Sequence, residues 1–319
     1  MTKGLFSAPY SFLGQVQADY EAFMPTGFRE IWKRDEVTPD PELTVWAPNP
    51  GQSFVIDRPV LDMFPKLEVV ATPSTGSNHI DRAECGRRGI AVYSLLDNRE
   101  GLERISASAE FSFLLLLNAL RRLDRGITEV TAGRWRARED MLRGNELGGK
   151  TVGLIGYGRI GKRLKRYAEA FDATVVCCDP YVTDADIPQW PMARIFAEAD
   201  AVCVCCQLTE QTRGMVGREL LERLKPHAAL VNSSRGEVLD EAALAGLLAE
   251  RADLRVAVDV LAGEVTASTS QSPLMPFHES GQIVITPHIA GAAYESQSKA
   301  AAATLDILRR HYAGEAVVR

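Results

Sequence analysis

KTVGLIGYGRIGKRLKRYAEAFDATVVCCDP, residues 150–180, decides how the rest of the chain is read. Thr151 to Ile155 has the apolar run of a buried strand. Gly156-Tyr-Gly158-Arg-Ile-Gly161 has the composition of a tight turn, and Ile160 to Phe171 a helical period with Ile160, Leu164, Tyr167, Ala168 and Phe171 on one face. Ala173 to Cys178 is a second strand that ends at Asp179. A strand, turn, helix and strand in this order form a dinucleotide-binding unit. Gly156 permits the turn, Gly158 lets the backbone approach a pyrophosphate, and Gly161 lets helix and strand pack closely. The N–H groups near Arg159 and Ile160, at the helix start, would hold the phosphate charge. Asp179 would accept the adenosine ribose hydroxyls and repel a 2′-phosphate, so the expected cofactor is NAD rather than NADP. Glycine spacing alone is weak evidence; the ordered unit closed by an acid is strong.

Outward from that stretch, 319 residues at 46% apolar and 24% charged are enough for two domains with cores of their own. A net charge of −6 argues against a nucleic-acid partner, and the basic cluster around Arg134, Arg136 and Arg138 reads as solvated surface. The first residues lack the apolar core of a signal peptide, and the most apolar run, Phe111 to Leu120, is too short to span a bilayer, so no membrane partner and a cytoplasmic location are expected. Of six cysteines, five (Cys177, Cys178, Cys203, Cys205 and Cys206) fall in apolar runs that read as buried strands. None has zinc-site spacing, and no metal is expected.

Before the central unit the chain has a strand–helix rhythm of its own. Strands are expected at Lys3–Phe6, Leu43–Trp46, Leu67–Ala71 and Ile90–Tyr93, with helices at Gln15–Phe23 and Arg82–Arg88. The loop Thr72 to Asp81 is rich in small residues and could cradle a carboxylate, or could be a strand-to-helix turn capped by Asn78 or Asp81. Glu103 to Leu123 reads as one long helix, apolar over much of its circumference and wedged between two domains; Arg121, Arg122 and Arg125 at its end match the helix dipole. Gly133 to Gly149 reads as a surface connection. Beyond Asp179, strands are expected at Ala201–Cys206, Ala228–Asn232, Leu254–Asp259 and Ile283–Thr286, and a helix at Glu241–Glu250, completing a sheet of about six strands. The last helix, Ala292 to His311, has the length to return to the first domain. The expected fold is α/β: two Rossmann-like or flavodoxin-like domains with doubly wound parallel sheets and a cleft between them. Residues 1–104 with 292–319 would form a discontinuous substrate domain, and 105–291 the NAD-binding domain.

Three reactive side chains follow strand ends, where ligands of open parallel sheets bind. They are Arg235 after Ala228–Asn232, Glu264 after Leu254–Asp259, and His288 after Ile283–Thr286. Singly, Arg235 could pair with Glu237, Glu264 could be a solvated acid and His288 a helix-start residue. Jointly they suit reduction of a 2-oxo acid, which needs a cation for the carboxylate, a proton donor for the carbonyl oxygen and a hydride held near the carbonyl carbon. Arg235 offers a planar fork of donors, and His288 a proton carrier at neutral pH. Glu264 would stabilise the imidazolium and fix its tautomer. Asp259, at a strand end, could accept a hydrogen bond from the nicotinamide carboxamide or serve as a structural cap.

The segments STGSNHID (74–81), GLIGYGRIGKRL (153–164), QLTEQTRGMVG (207–217), LVNSSRGEVLDEAAL (230–244), DVLAGE (259–264) and TPHIAG (286–291) resemble those of the D-isomer-specific 2-hydroxyacid dehydrogenases, from about Leu67 to Ser298. The resemblance implies an NAD-dependent oxidoreductase acting on D-2-hydroxy and 2-oxo acids, with Arg235, Glu264 and His288 as the catalytic set. It also implies substrate contacts at Thr75, Gly76 and Ser77 and a homodimer built through the cofactor domains. Two motifs depart from the family pattern. Cys205-Cys206-Gln207 stands where His-x-Pro is usual, which would alter the wall near the nicotinamide, and Glu264-Val265 stands where Glu-Pro is usual, which would loosen the loop holding Glu264. Ser94 to Arg104 is longer than the usual loop; it is expected to border the cleft, with Arg99 or Arg104 either meeting a second anionic group or salt-bridging at the surface. The alternatives are a formate- or phosphite-type dehydrogenase, against which Glu264 counts, and an NAD-sensing protein without turnover.

Overall fold

A computed structural model describes residues 2–136, 142–182, 186–265 and 269–315. Arg138, in the basic cluster above, lies outside them. The chain forms two compact units, Met1–Ile105 with Ala292–Arg319, and Ser106–Gly291.

The first unit is built on a five-stranded sheet of β1 (Gly4–Phe6), β2 (Thr26–Phe28), β3 (Val45–Ala47), β4 (Val69–Ala71) and β5 (Ala91–Tyr93), all parallel, in the order β2-β1-β3-β4-β5. Side chains alternate between faces along each strand. Trp46 and Val70 therefore enter a core with Ile31, Leu43 and Phe64, while Val45, Ala47, Val69 and Ala71 enter the opposite one with Phe6 and Tyr20. The helix Tyr294–Tyr312 belongs to this unit; it contributes Ala301, Leu305 and Leu308 to the second core, and the Tyr20 hydroxyl donates to the carbonyl of Ala301 at 3.0 Å.

Ser94 to Arg104 is a docked element rather than an open loop. A 3-10 turn (Leu95–Asp97) leads into a helix (Arg99–Glu103) whose N-cap, Asn98, is buried; its side chain accepts from Gly101 N and donates to the carbonyl of Ala303. Arg104 pairs with Glu100 on the exposed surface, which is the salt-bridge alternative for that residue.

The second unit carries β6 (Thr151–Ile155), β7 (Thr174–Cys178), β8 (Ala201–Val204), β9 (Ala229–Asn232), β10 (Arg255–Val258) and β11 (Val284–Ile285), parallel, in the order β11-β10-β9-β8-β6-β7. Strand order reverses between β6 and β8, and crevices beyond the carboxyl ends of strands open at such a switch. The β8 strand ends at Val204, so Cys205 and Cys206 lie in the segment after it and not in a buried strand. None of the six cysteines is in a disulfide, and burial pushes Cys203 up to about 12 and Cys206 up to about 11.

The long helix expected over 103–123 is divided. One helix runs from Ala107 to Arg121 and another from Leu123 to Thr131, separated by Arg122 in the left-handed conformation (φ 56°). Arg125 is not at a helix C-terminus, where the dipole would favour it, but in the first turn of the second helix, and it donates to the carbonyl of Gly281 at 3.0 Å. Phe171 lies beyond the helix Arg159–Glu169 and is half exposed, edge-on to Phe113 rather than on the buried face.

Candidate active site

The turn after β6 is shaped by two constraints. Gly156 has φ 95°, and a Cβ there would lie 2.9 Å from the backbone nitrogen of Cys206; at Gly161 a Cβ would lie 2.6 Å from the carbonyl oxygen of Gly156. Both positions exclude a side chain, the first by conformation and contact, the second by contact alone. At Gly158, the N-cap of the helix Arg159–Glu169, an added Cβ meets nothing within 4 Å. Open space in front of a helix N-terminus fits a pyrophosphate. Asp179 closes the unit: its carboxylate accepts from Tyr157 N at 2.7 Å and Tyr181 N at 2.9 Å, so the acid that would meet a ribose also fixes the glycine turn.

At the ends of β9, β10 and β11 the three reactive residues sit on connected loops. Asn232, fully buried, accepts from the N–H and hydroxyl of Ser234 and donates to the carbonyl of Arg235. Ser233 is tied through Ser112 to the helix Ala107–Arg121. Burial lowers the Arg235 guanidinium from its ordinary value, against the opposing charges of Glu264 and Glu237; an arginine stays charged under such a shift.

His288 and Glu264 are in contact, with Nδ1 to Oε1 at 2.5 Å. A carboxylate can only accept, so Nδ1 carries the proton and Nε2, on an imidazole 45% exposed, is the open edge. His288 itself has φ 53°, held by its own N–H to the carbonyls of Asp259 and Thr286. Asp259 governs this loop. It is fully buried, and its carboxylate accepts from the Thr286 hydroxyl and from the N–H groups of Ile289 and Ala290; burial raises its pKa, opposed by those bonds. These contacts give the cap role weighed for it from sequence.

Two further acids support these loops: Glu237, weighed from sequence only as a partner for Arg235, and Glu241, which went unread. Glu241, buried at the start of the helix Glu241–Glu250, accepts from Ala262 N at 2.6 Å and the Ser272 hydroxyl at 2.7 Å, and Glu237 accepts from Gly263 N at 3.3 Å. With Glu264 accepting from Leu261 N, three carboxylates hold the loop, so the absence of proline after Glu264 is offset by side-chain hydrogen bonds. The only sequence signal for Glu241 is its place in the Asp240-Glu241 pair, which reads as helix capping.

In the first unit, Thr75, Gly76 and Ser77 follow β4 in a half-buried loop, and their N–H groups have no acceptor among the described residues. Asp81 caps the next helix by accepting from Glu84 N. Among the described residues no group of three or more His, Cys, Asp or Glu could hold a metal ion, and no helix is long and apolar enough to cross a membrane.

Two family models match the chain: D-isomer specific 2-hydroxyacid dehydrogenase, NAD binding domain, over residues 113–290, and the catalytic domain of the same family over 44–99. The chain is 33% identical over 267 residues to a D-3-phosphoglycerate dehydrogenase of Mycobacterium tuberculosis, covering 82% of this chain and 48% of that protein. It thus spans about half the length of that relative. A glyoxylate reductase of Korarchaeum cryptofilum is 31% identical over 285 residues, with 85% and 82% covered. Among solved structures, an NADPH-dependent glyoxylate/hydroxypyruvate reductase of Sinorhizobium meliloti in complex with citrate superposes with a TM-score of 0.79 at 26% identity, over 99% of this chain and 96% of that one.

Proposed function

The chain belongs to the D-isomer specific 2-hydroxyacid dehydrogenase family, and from that premise we propose that it interconverts a D-2-hydroxy acid and its 2-oxo acid using NAD(H). The observation that carries this reading is the His288–Glu264 contact, which leaves the Nε2 edge open on a loop held by buried Asp259. In the direction of reduction, Arg235 polarises the carbonyl oxygen and neutralises the neighbouring carboxylate, while the N–H groups of Thr75, Gly76 and Ser77 donate hydrogen bonds to that carboxylate. Protonated His288 donates its Nε2 proton to the carbonyl oxygen, and Glu264 holds the imidazolium and its orientation. NADH, when bound, would supply the hydride to the carbonyl carbon, giving the hydroxy acid and NAD. Residues 156–161 would hold the pyrophosphate and Asp179 the adenosine ribose; its charge favours NAD over NADP.

Two coarser features support finer proposals. Leu123, Ile127, Val130 and Trp135 are each more than half exposed, and the first three recur at helical spacing, as an apolar face covered by a second copy would; a homodimer through the second unit is the reading. Six cysteines outside any disulfide suit a reducing cytoplasm.

The test is NADH oxidation by the purified protein against glyoxylate, hydroxypyruvate, phosphohydroxypyruvate and bulkier 2-oxo acids, with a His288→Ala control. Turnover that disappears in the control is expected. NADH binding without turnover across the panel would replace this reading with that of a cofactor sensor.

A further inference from the structure

A chain of hydrogen bonds in the first unit runs from a buried histidine to the backbone of the loop assigned to the substrate carboxylate. The Ser74 hydroxyl donates to the carbonyl of Gly76 at 2.7 Å. Thr72 Oγ1 lies 3.1 Å from Ser74 Oγ, and His79 Nε2 lies 3.1 Å from Thr72 Oγ1. The direction of every link follows from the last one. A carbonyl only accepts and a hydroxyl has one proton, so Ser74, having given its proton to Gly76, must accept from Thr72. Thr72 has then spent its proton and must accept from His79, which fixes a proton on Nε2 of that imidazole.

The base of the chain is immobile. Thr72 is fully buried and His79 is 4% exposed, so water cannot stand in for either partner. Thr72 N donates to the carbonyl of Tyr93, Leu95 N donates to that of Ser74, and Ile56 N to that of His79. The far end of the chain sets a direction. In a planar trans peptide the C=O and the following N–H point in opposite senses. With the Gly76 carbonyl drawn toward Ser74, the N–H of Ser77 is turned away from it, and that N–H has no acceptor among the described residues. Beyond it, Ile80 N donates to the carbonyl of Ser77, so the loop is pinned on both sides of the open N–H.

We propose that His79, Thr72 and Ser74 are positioning residues for substrate: the donor chain from His79 Nε2–H to the Gly76 carbonyl aims the Ser77 N–H at the substrate carboxylate. This rests on the reading that the loop binds that carboxylate. None of the three side chains touches the reacting atoms, so they act on acid binding and leave cofactor binding unchanged.

The experiment compares Thr72→Val, Ser74→Ala and His79→Phe with Thr72→Ser and His79→Gln, the last two keeping an oxygen or a nitrogen donor in place. Steady-state KM and kcat are measured with the 2-oxo acid that the wild type turns over best, and the Kd for NADH by fluorescence. Loss of one link should raise KM for the acid about tenfold, as for one hydrogen bond to a charged group, with kcat and the NADH Kd within about twofold. Thr72→Ser and His79→Gln should restore KM. Ser74 is half-buried and its alanine variant keeps the test open should a deeper variant fail to fold. KM within twofold of wild type in Ser74→Ala would overturn the proposal, as would equal damage to kcat and NADH binding. An inactive wild type would instead remove the reading on which it rests.

Discussion

Gly236→Ala is the sharpest steric test of the site, because the effect of one methyl group can be worked out in advance. A Cβ at Gly236 would lie 2.1 Å from the carbonyl carbon of Leu261 and 2.2 Å from Ala262 N, backbone atoms with no rotamer to escape into. Ordinary contact starts at 3.4 Å, so the loop carrying Arg235 and the loop carrying Glu264 must separate by about 1.3 Å. Gly236 does not have a positive φ, so no backbone strain confounds the substitution. Overpacking of this kind costs roughly 1–3 kcal/mol, and a displacement of about 1 Å between catalytic groups lowers rates on the order of a hundredfold. Thermal unfolding and kcat/KM for the best 2-oxo acid, measured side by side, should show a lower melting temperature and a kcat/KM about a hundredfold down. NADH affinity should be retained, since the glycine turn at 156–161 is untouched. A variant with wild-type kcat/KM and melting temperature would refute the claim that close packing of these loops sets the site.

Gly246→Ala should do the opposite: its nearest neighbour is the end of the Arg218 side chain at 3.7 Å, and alanine in the helix Glu241–Glu250 should add about 0.5–1 kcal/mol in urea unfolding. Glu264→Gln keeps the size but removes the countercharge of His288, and kcat/KM should fall roughly 10–100-fold with the NADH Kd unchanged; an undiminished rate would mean His288 is oriented without it. Arg87 and Arg88 hydrogen-bond Glu84 and pull its pKa from 4.5 to about 2. A folded-state value below the unfolded one gives stability that is complete above pH 4.5 and is lost as pH falls toward 2, so Arg88→Ala should shrink the difference in urea midpoint between pH 7 and pH 3. Ile127→Glu places a charge on the exposed apolar face and should turn a dimer into a monomer by light scattering; an unchanged mass would move the interface elsewhere.

Much of the second unit is legible because its signals are local. The turn at 156–161, the strand on either side of it and the helix Glu241–Glu250 each announce themselves within about a dozen residues, and the loops bearing Arg235, Glu264 and His288 follow apolar runs that end abruptly. Elements decided by distant partners are not legible. Thr26–Phe28 is three residues with no alternation and becomes a strand only by lying beside Gly4–Phe6. The break at Arg122 interrupts a run whose composition is helical throughout; Asn118 receives the N–H of Asp124 across it, a local bond that propensity does not forecast. Glu241 reads as a first-turn helix acid, and nothing near it in sequence says that its two oxygens meet Ala262 and Ser272. Placement at strand ends thus follows from pattern, whereas the bonds that hold each loop depend on residues brought together by the fold.

The helix Tyr294–Tyr312 completes the core that Phe6, Tyr20 and Val69 begin. On the ribosome the order of completion is therefore the reverse of the order of synthesis. Every strand of the second unit has been translated before Leu305 and Leu308 exist to cover the first. At about 5–20 residues per second, the roughly 200 residues between Ile105 and Leu308 take about 10–40 s. Through that interval the nascent first unit has one apolar face covered only in part, by the residues around Tyr20.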